Sequence, residues 1–112
     1  MTAVSNEGLL TQLGYPVNDS TEEKLERVIE NTKDFEHIGA RHIISLNDTL
    51  KTHLSYIGMS NSHDYFKIKN EAQTQEIKDE VDQIIQKWSQ KYKVQLEKVD
   101  GKDTYYILGY RH

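Results

Sequence analysis

Residues 22–57 read EEKLERVIENTKDFEHIGARHIISLNDTLKTHLSYI, and the spacing of their apolar side chains decides the fold. Leu25, Val28, Thr32, Phe35, Gly39, His42, Leu46, Leu50, His53 and Ile57 recur at steps of three and four, which places them on one side of a helix. Ile29, Ile38, Ile43 and Leu54 broaden that stripe to the width of a helix seated on a core, wider than a coiled-coil seam. Gly39 interrupts it. A glycine inside a helix costs about 1 kcal/mol relative to alanine, so it marks a break between helices or a close backbone approach. The spacing predicts a helix over 21–36, a tight turn at 37–39 and a second helix over 40–57. The alternative, one unbroken helix over 21–57, would be about 55 Å long and would call for a dimer to cover it.

Upstream, Ser20 as N-cap with Glu23 three residues on matches a capping box, and Glu22 and Glu23 suit the positive end of the helix dipole. Residues 1–19 show weak periodicity around Leu9, Leu10, Leu13, Tyr15 and Val17 and read as a short helical turn or an irregular arm, loose over its first five residues. Downstream, Gly58 suits a helix C-terminus and residues 59–62 carry turn chemistry. Residues 64–69 alternate Phe66 and Ile68 with Lys67 and Lys69, the pattern of a half-buried strand. Ile77, Val81, Ile84, Ile85 and Trp88 predict a helix over 74–91, capped by Asn70 or Thr74. Residues 92–99 and 104–110 form a hairpin around Asp100-Gly101. Val94 and Leu96 should share the helix-facing side with Tyr105 and Ile107, leaving Tyr106, Leu108 and Tyr110 on the other face with Gln95, Glu97 and Val99.

The expected class is α+β in a single domain, 1–112. Two N-terminal helices, or one long kinked helix, precede a short strand, a third helix and a C-terminal hairpin, giving a small three-stranded sheet packed on helices. This order lacks the paired helices that a winged helix-turn-helix places between its first strand and its hairpin. A chain of 112 residues buries about two-thirds of its unfolded surface on folding, enough for an independent core.

Composition narrows the function. Zero Cys excludes disulfides, thiolate nucleophiles and Cys-ligated metal, and fits the cytoplasm. No apolar run reaches the length of a membrane span or a signal h-region, so no membrane association is expected. The net charge is −4, with five Lys or Arg against ten Asp or Glu in residues 1–66, and nine against eight in residues 67–112. Acidity on the first half disfavours non-specific nucleic-acid binding there, which depends on clustered cations.

Five histidines raise the question of metal, yet His42 and His53 would lie about 16 Å apart along a continuous helix, and no H-E-x-x-H or H-x-x-x-H pair occurs. No metal and no cofactor is expected. Ser62-His63-Asp64 has the composition of a hydrolase triad, but three consecutive residues cannot adopt its geometry. The acidic run of Glu22, Glu23, Glu26, Glu30, Asp34 and Glu36 reads as a solvated helix face. Lys67, Lys69, Lys87, Lys91, Lys93 and Arg111, interleaved with Trp88, Tyr92, Tyr106 and Tyr110, form the candidate nucleic-acid face, since cations track phosphates and rings stack bases. Tyr106, Leu108, Tyr110 and Val99 form the candidate protein interface, because an apolar patch rich in aromatic rings is what interfaces use at their centre. The expected function is a non-enzymatic small regulatory or adaptor protein that binds another protein or itself. A nucleic-acid-binding regulator comes second. An enzyme using His37, His42, His53 or His63 as acid or base comes third.

Overall fold

The computed structural model describes residues 4–112. These residues form α1 (Asn6–Gln12), α2 (Asp19–Asn31), α3 (Phe35–Ile38), α4 (Ala40–Lys51), β1 (Tyr56–Met59), β2 (Phe66–Lys69), α5 (Gln75–Tyr92), β3 (Val94–Lys98) and β4 (Thr104–Tyr110). The strands make one antiparallel sheet of order β1-β2-β4-β3. α5 carries the chain past β4 to the far edge, and the terminal hairpin returns β4 to the middle. The class is α+β as expected, with a fourth strand and more helices.

Alternation along the strands turns Ile57, Phe66, Ile68, Tyr105, Ile107 and Val94 to one face, where they join Leu9, Leu10, Leu25, Val28, Ile43, Leu50, Val81 and Ile85 in a single buried cluster. Thr74 caps α5 by accepting from the Ile77 N–H, and of the predicted stripe Val81, Ile85 and Trp88 are buried and Ile84 is half-buried, whereas Ile77 in the first turn is exposed. The N-terminal arm is part of this core. Ser5 caps α1, Leu9 and Leu10 are fully buried, and Val4 packs against the cluster. The expected looseness of the first five residues therefore fails at Val4 and Ser5; residues 1–3 lie outside the described residues.

Three boundaries differ from expectation, each for a local reason. α2 begins two residues earlier than Ser20 implies, because Asn18 and Thr21 make the reciprocal capping box. It ends at Asn31 rather than continuing to residue 36. Thr32 turns extended with its hydroxyl donated to the Val28 carbonyl, and Asp34 adopts a left-handed φ of 51°. The break at Gly39 is present, at φ 86°, a conformation that favours glycine. α4 then stops at Lys51, not near 57. Leu54 takes a φ of 61° and the Ser55 N–H returns to the Leu50 carbonyl, so residues 56–59 leave the helix as the unforeseen strand β1. Gly58 lies inside that strand.

A short parallel bridge joins the two halves of the chain. β2 starts only at Phe66, opposite Ile107, so the last residues of β4 extend beyond it. Lys33 fills that gap: its N–H donates to the Leu108 carbonyl at 3.2 Å and its carbonyl accepts from the Tyr110 N–H at 2.8 Å. Gly109 permits the approach, since a Cβ there would lie 2.6 Å from Lys33 Cβ and 2.8 Å from Lys33 N and O. Opposite the bridge, Gln95 pairs with Gly109 while Leu96 pairs with Ile107, which leaves Leu108 as the extra residue of a β-bulge.

The bulge overturns part of the expected facing. Beyond it Tyr110 pairs with Val94 and packs against the core, its ring 5.1 Å from that of His37. Tyr106, Leu108 and Tyr110 therefore do not form one outer row.

The free edge of β1 is closed by side chains from two other segments. Ile57 N–H donates to Asn47 Oδ1 at 2.8 Å, and Met59 N–H to the Tyr15 hydroxyl at 2.8 Å. Asn47 is itself buried and donates to the Gln12 carbonyl, so α1, α4 and β1 meet at one amide.

Two stability measurements test these joints. Gly109→Ala should lower unfolding stability by about 2 kcal/mol or more in urea titrations, because the clash is with backbone and cannot relax by a rotamer change. Gly14→Ala, at φ 87° with open space around it, should cost only about 1 kcal/mol; equal losses would refute a special contact at Gly109. Asn47→Leu should cost about 2 kcal/mol by stranding the Ile57 N–H. Hydrogen exchange at Ile57 should then accelerate more than at Phe66, and uniform acceleration would count against the edge-closing role.

Candidate functional site

Alternation turns the remaining strand side chains to the side of the sheet away from the core. Register sets Gly58, Lys67, Tyr106 and Glu97 in one row across all four strands, and Tyr56, Lys69 and Thr104 in the next. The loop of residues 60–65 folds beside this face, with Ser60 N–H donated to the Tyr65 carbonyl at 2.9 Å. Tyr65 and His63 flank Tyr106, each with ring centroids 5.5 Å from it. A chain of polar contacts links Ser60 Oγ to Ser62 Oγ (3.2 Å), Ser62 Oγ to the Tyr106 hydroxyl (3.5 Å) and that hydroxyl to His63 Nδ1 (3.3 Å). The Ser62 and Ser60 hydroxyls favour the phenolate and hold the Tyr106 pKa below the usual phenol value, aided by the Lys102 and Lys67 charges and opposed by burial.

Ser62 Oγ also lies 3.1 Å from His63 Nδ1. Asp64 does not complete a triad. Its carboxylate turns to α2, 3.5 Å from Lys24 Nζ and 3.7 Å from Arg27 Nε, and its carbonyl accepts from Asn31.

The second feature is the open edge at β3. Val99 N–H donates to the Thr104 carbonyl, and Arg111 N–H to the Lys93 carbonyl. In an antiparallel ladder, hydrogen-bonded pairs alternate with unbonded ones. Counting from those anchors, the Leu96–Ile107 and Lys98–Tyr105 pairs are unbonded, and the N–H and C=O groups of Leu96 and Lys98 turn outward. Gln95, Glu97 and Lys98 are exposed there.

The residues singled out by sequence fall into separate groups. Lys67, Lys69, Tyr106 and Val99 gather around one hollow on the outer sheet face, together with Ser60, Ser62, Lys102 and Thr104. Lys87, Lys91 and Tyr92 line a different hollow on the helical side, with Trp88 buried beneath and donating its indole N–H to the His42 carbonyl. Lys93 caps α5 in a left-handed conformation, and Arg111 follows β4. Sequence reasoning missed Ser60 and Lys102, and met Ser62 only within the Ser62-His63-Asp64 run. All three lie in loops whose polar residues read as turn chemistry, and only the β1–β2 hairpin and the register bring them together.

The histidines disperse. His42 bonds the Ile38 carbonyl and stacks on Tyr92 at 3.8 Å, and His53 lies 3.5 Å from Glu80. His37 lies against Tyr110 and His112, while His112 bonds Asp34. That bond lowers the Asp34 pKa, opposed by desolvation and aided by the charges of His112, His37 and Lys33. Asp103 is lowered mainly by its bond to Lys78. Among the described residues, no group of three or more His, Cys, Asp or Glu is arranged to hold a metal ion, and no helix is long and apolar enough to cross a membrane. Comparison with protein-family models, with characterised proteins and with solved structures finds no match.

Proposed function

We propose that the chain is a non-enzymatic adaptor or regulatory module of the cytoplasm that takes a partner protein's strand along β3. The observation that carries this reading is the contrast between the two edges of one sheet. β1 has its outward N–H groups occupied by Asn47 and Tyr15, whereas β3 presents those of Leu96 and Lys98 with no such cover among the described residues. An uncovered edge is a template for strand addition, in which main-chain hydrogen bonds supply affinity and alternate side chains supply selectivity. A second copy of the chain is a self-consistent occupant. Antiparallel pairing of two β3 strands about Leu96 keeps every pair within the strand and sets Val94 of each copy opposite Lys98 of the other, with Gln95 opposite Glu97.

Lys98→Pro tests this reading, because it removes an outward N–H without touching the β3–β4 ladder, and an edge strand tolerates proline at such a position. Tagged wild-type protein, Lys98→Pro and Lys98→Ala would be compared by sedimentation and by nuclease-treated affinity capture. The dimer, or the captured protein, should weaken about tenfold or more in Lys98→Pro and persist in Lys98→Ala. Equal behaviour of the two variants would refute strand addition at β3.

A further inference from the structure

The hollow on the outer sheet face has a chemistry of its own. It encloses about 260 Å³ between the loop of residues 60–62, β2, β4 and the terminal hairpin. Three lysines reach it, Lys67, Lys69 and Lys102, and four hydroxyl side chains, those of Ser60, Ser62, Thr104 and Tyr106. Among the described residues no carboxylate lines it, although the chain as a whole is acidic. Glu97 shares the face but pairs with Tyr106 from the β3 side, whereas Lys67 pairs with Tyr106 from the β2 side. Lys69 is engaged by Glu71 at 3.7 Å; Lys67 and Lys102 form no ion pair among the described residues.

Two unpaired ammonium groups beside a run of hydroxyl donors match the demands of a phosphoryl group, which presents three strong acceptor oxygens and between one and two negative charges. Tyr106 also offers a ring, set between Tyr65 and His63. The space exceeds what a phosphoryl group alone would fill. We infer that this hollow is a binding site for a nucleotide, whose phosphate lies among Lys67, Lys102 and the Ser60–Ser62 hydroxyls and whose base packs against the Tyr106 side of the loop. The lowered pKa of Tyr106 follows from the same surroundings, since Ser62 and Ser60 hydrogen bonds and the Lys102 and Lys67 charges favour negative charge at that oxygen. The nucleotide has two sources, a free mononucleotide or a residue of a single strand.

The test is a titration of the isotopically labelled full chain, followed by amide NMR, with AMP, adenosine, inorganic phosphate and an eight-residue oligothymidylate. AMP should produce saturable shifts at Ser60, Ser62, Lys67 and Tyr106, with adenosine at least roughly tenfold weaker and affinity falling as salt rises. The K67A/K102A double variant should weaken AMP roughly tenfold or more, and Tyr106→Phe should weaken it less, both with unchanged spectra elsewhere. Tighter binding of the oligothymidylate than of AMP would assign the site to single strands, and the reverse order to free nucleotides. Absence of saturable shifts at these residues with both AMP and oligothymidylate would overturn the inference, as would AMP binding that is unchanged in K67A/K102A.

Discussion

The bridge between Lys33 and Gly109 is the constraint on which the arrangement depends. Backbone amides and carbonyls removed from water must find partners, and β4 outruns β2 by three residues. Lys33 supplies the missing pair of bonds, which requires α2 to end, the chain to run extended at Thr32 and Lys33, and Asp34 to turn left-handed. α3 and α4 are launched from that point. On the strand side, the same contact demands a residue without a Cβ at 109, and the bulge beside it turns Tyr110 onto the face of Val94. The segment between α2 and α3 and the end of the chain are thereby fastened together, with the His112–Asp34 contact beyond them.

Elements defined by their own periodicity and caps were legible in the sequence. The stripe of α5 and its Thr74 cap, the Asp-Gly hairpin, the break at Gly39 and the core face of Val94, Leu96, Tyr105 and Ile107 all follow from local spacing. What escaped depended on distant partners. The apolar stripe runs on to Ile57 because a buried strand residue there falls by coincidence at helical spacing. Leu54, 62% exposed and left-handed, performs a turn for which glycine is the usual signal. The stop at Asn31 is set by β4, more than seventy residues away. Gly109 inside a strand pattern was the available sign of a bulge or close approach, and weighing it would have separated Tyr110 from Tyr106.

The candidate site was half legible for the same reason. Alternation on β2 and β4 places Lys67, Lys69 and Tyr106 on one face, which sequence alone supports. Their union with Lys102, Ser60 and Ser62 depends on β1, whose existence was not foreseen, because the β1–β2 hairpin brings the Ser60-Asn61-Ser62 loop beside Tyr106. Lys87, Lys91 and Tyr92 looked equivalent in composition and belong to the helical layer instead. Cations and rings alone do not define a face; strand parity and helix position decide which of them meet.

The two sheet edges are protected in different ways, and the difference bears on what could add to each. At β1, Asn47 and Tyr15 occupy the outward donors directly, so an incoming strand would have to displace two hydrogen bonds, one of them to a buried amide. At β3, among the described residues, Glu97 and Lys98 mark the edge with charge but leave its main chain bare. Charged side chains on an edge raise the cost of pairing with an arbitrary apolar strand and lower it for one that places opposite charges across the gap. Under strand addition, β1 would thus be closed to every partner and β3 open to those of complementary pattern.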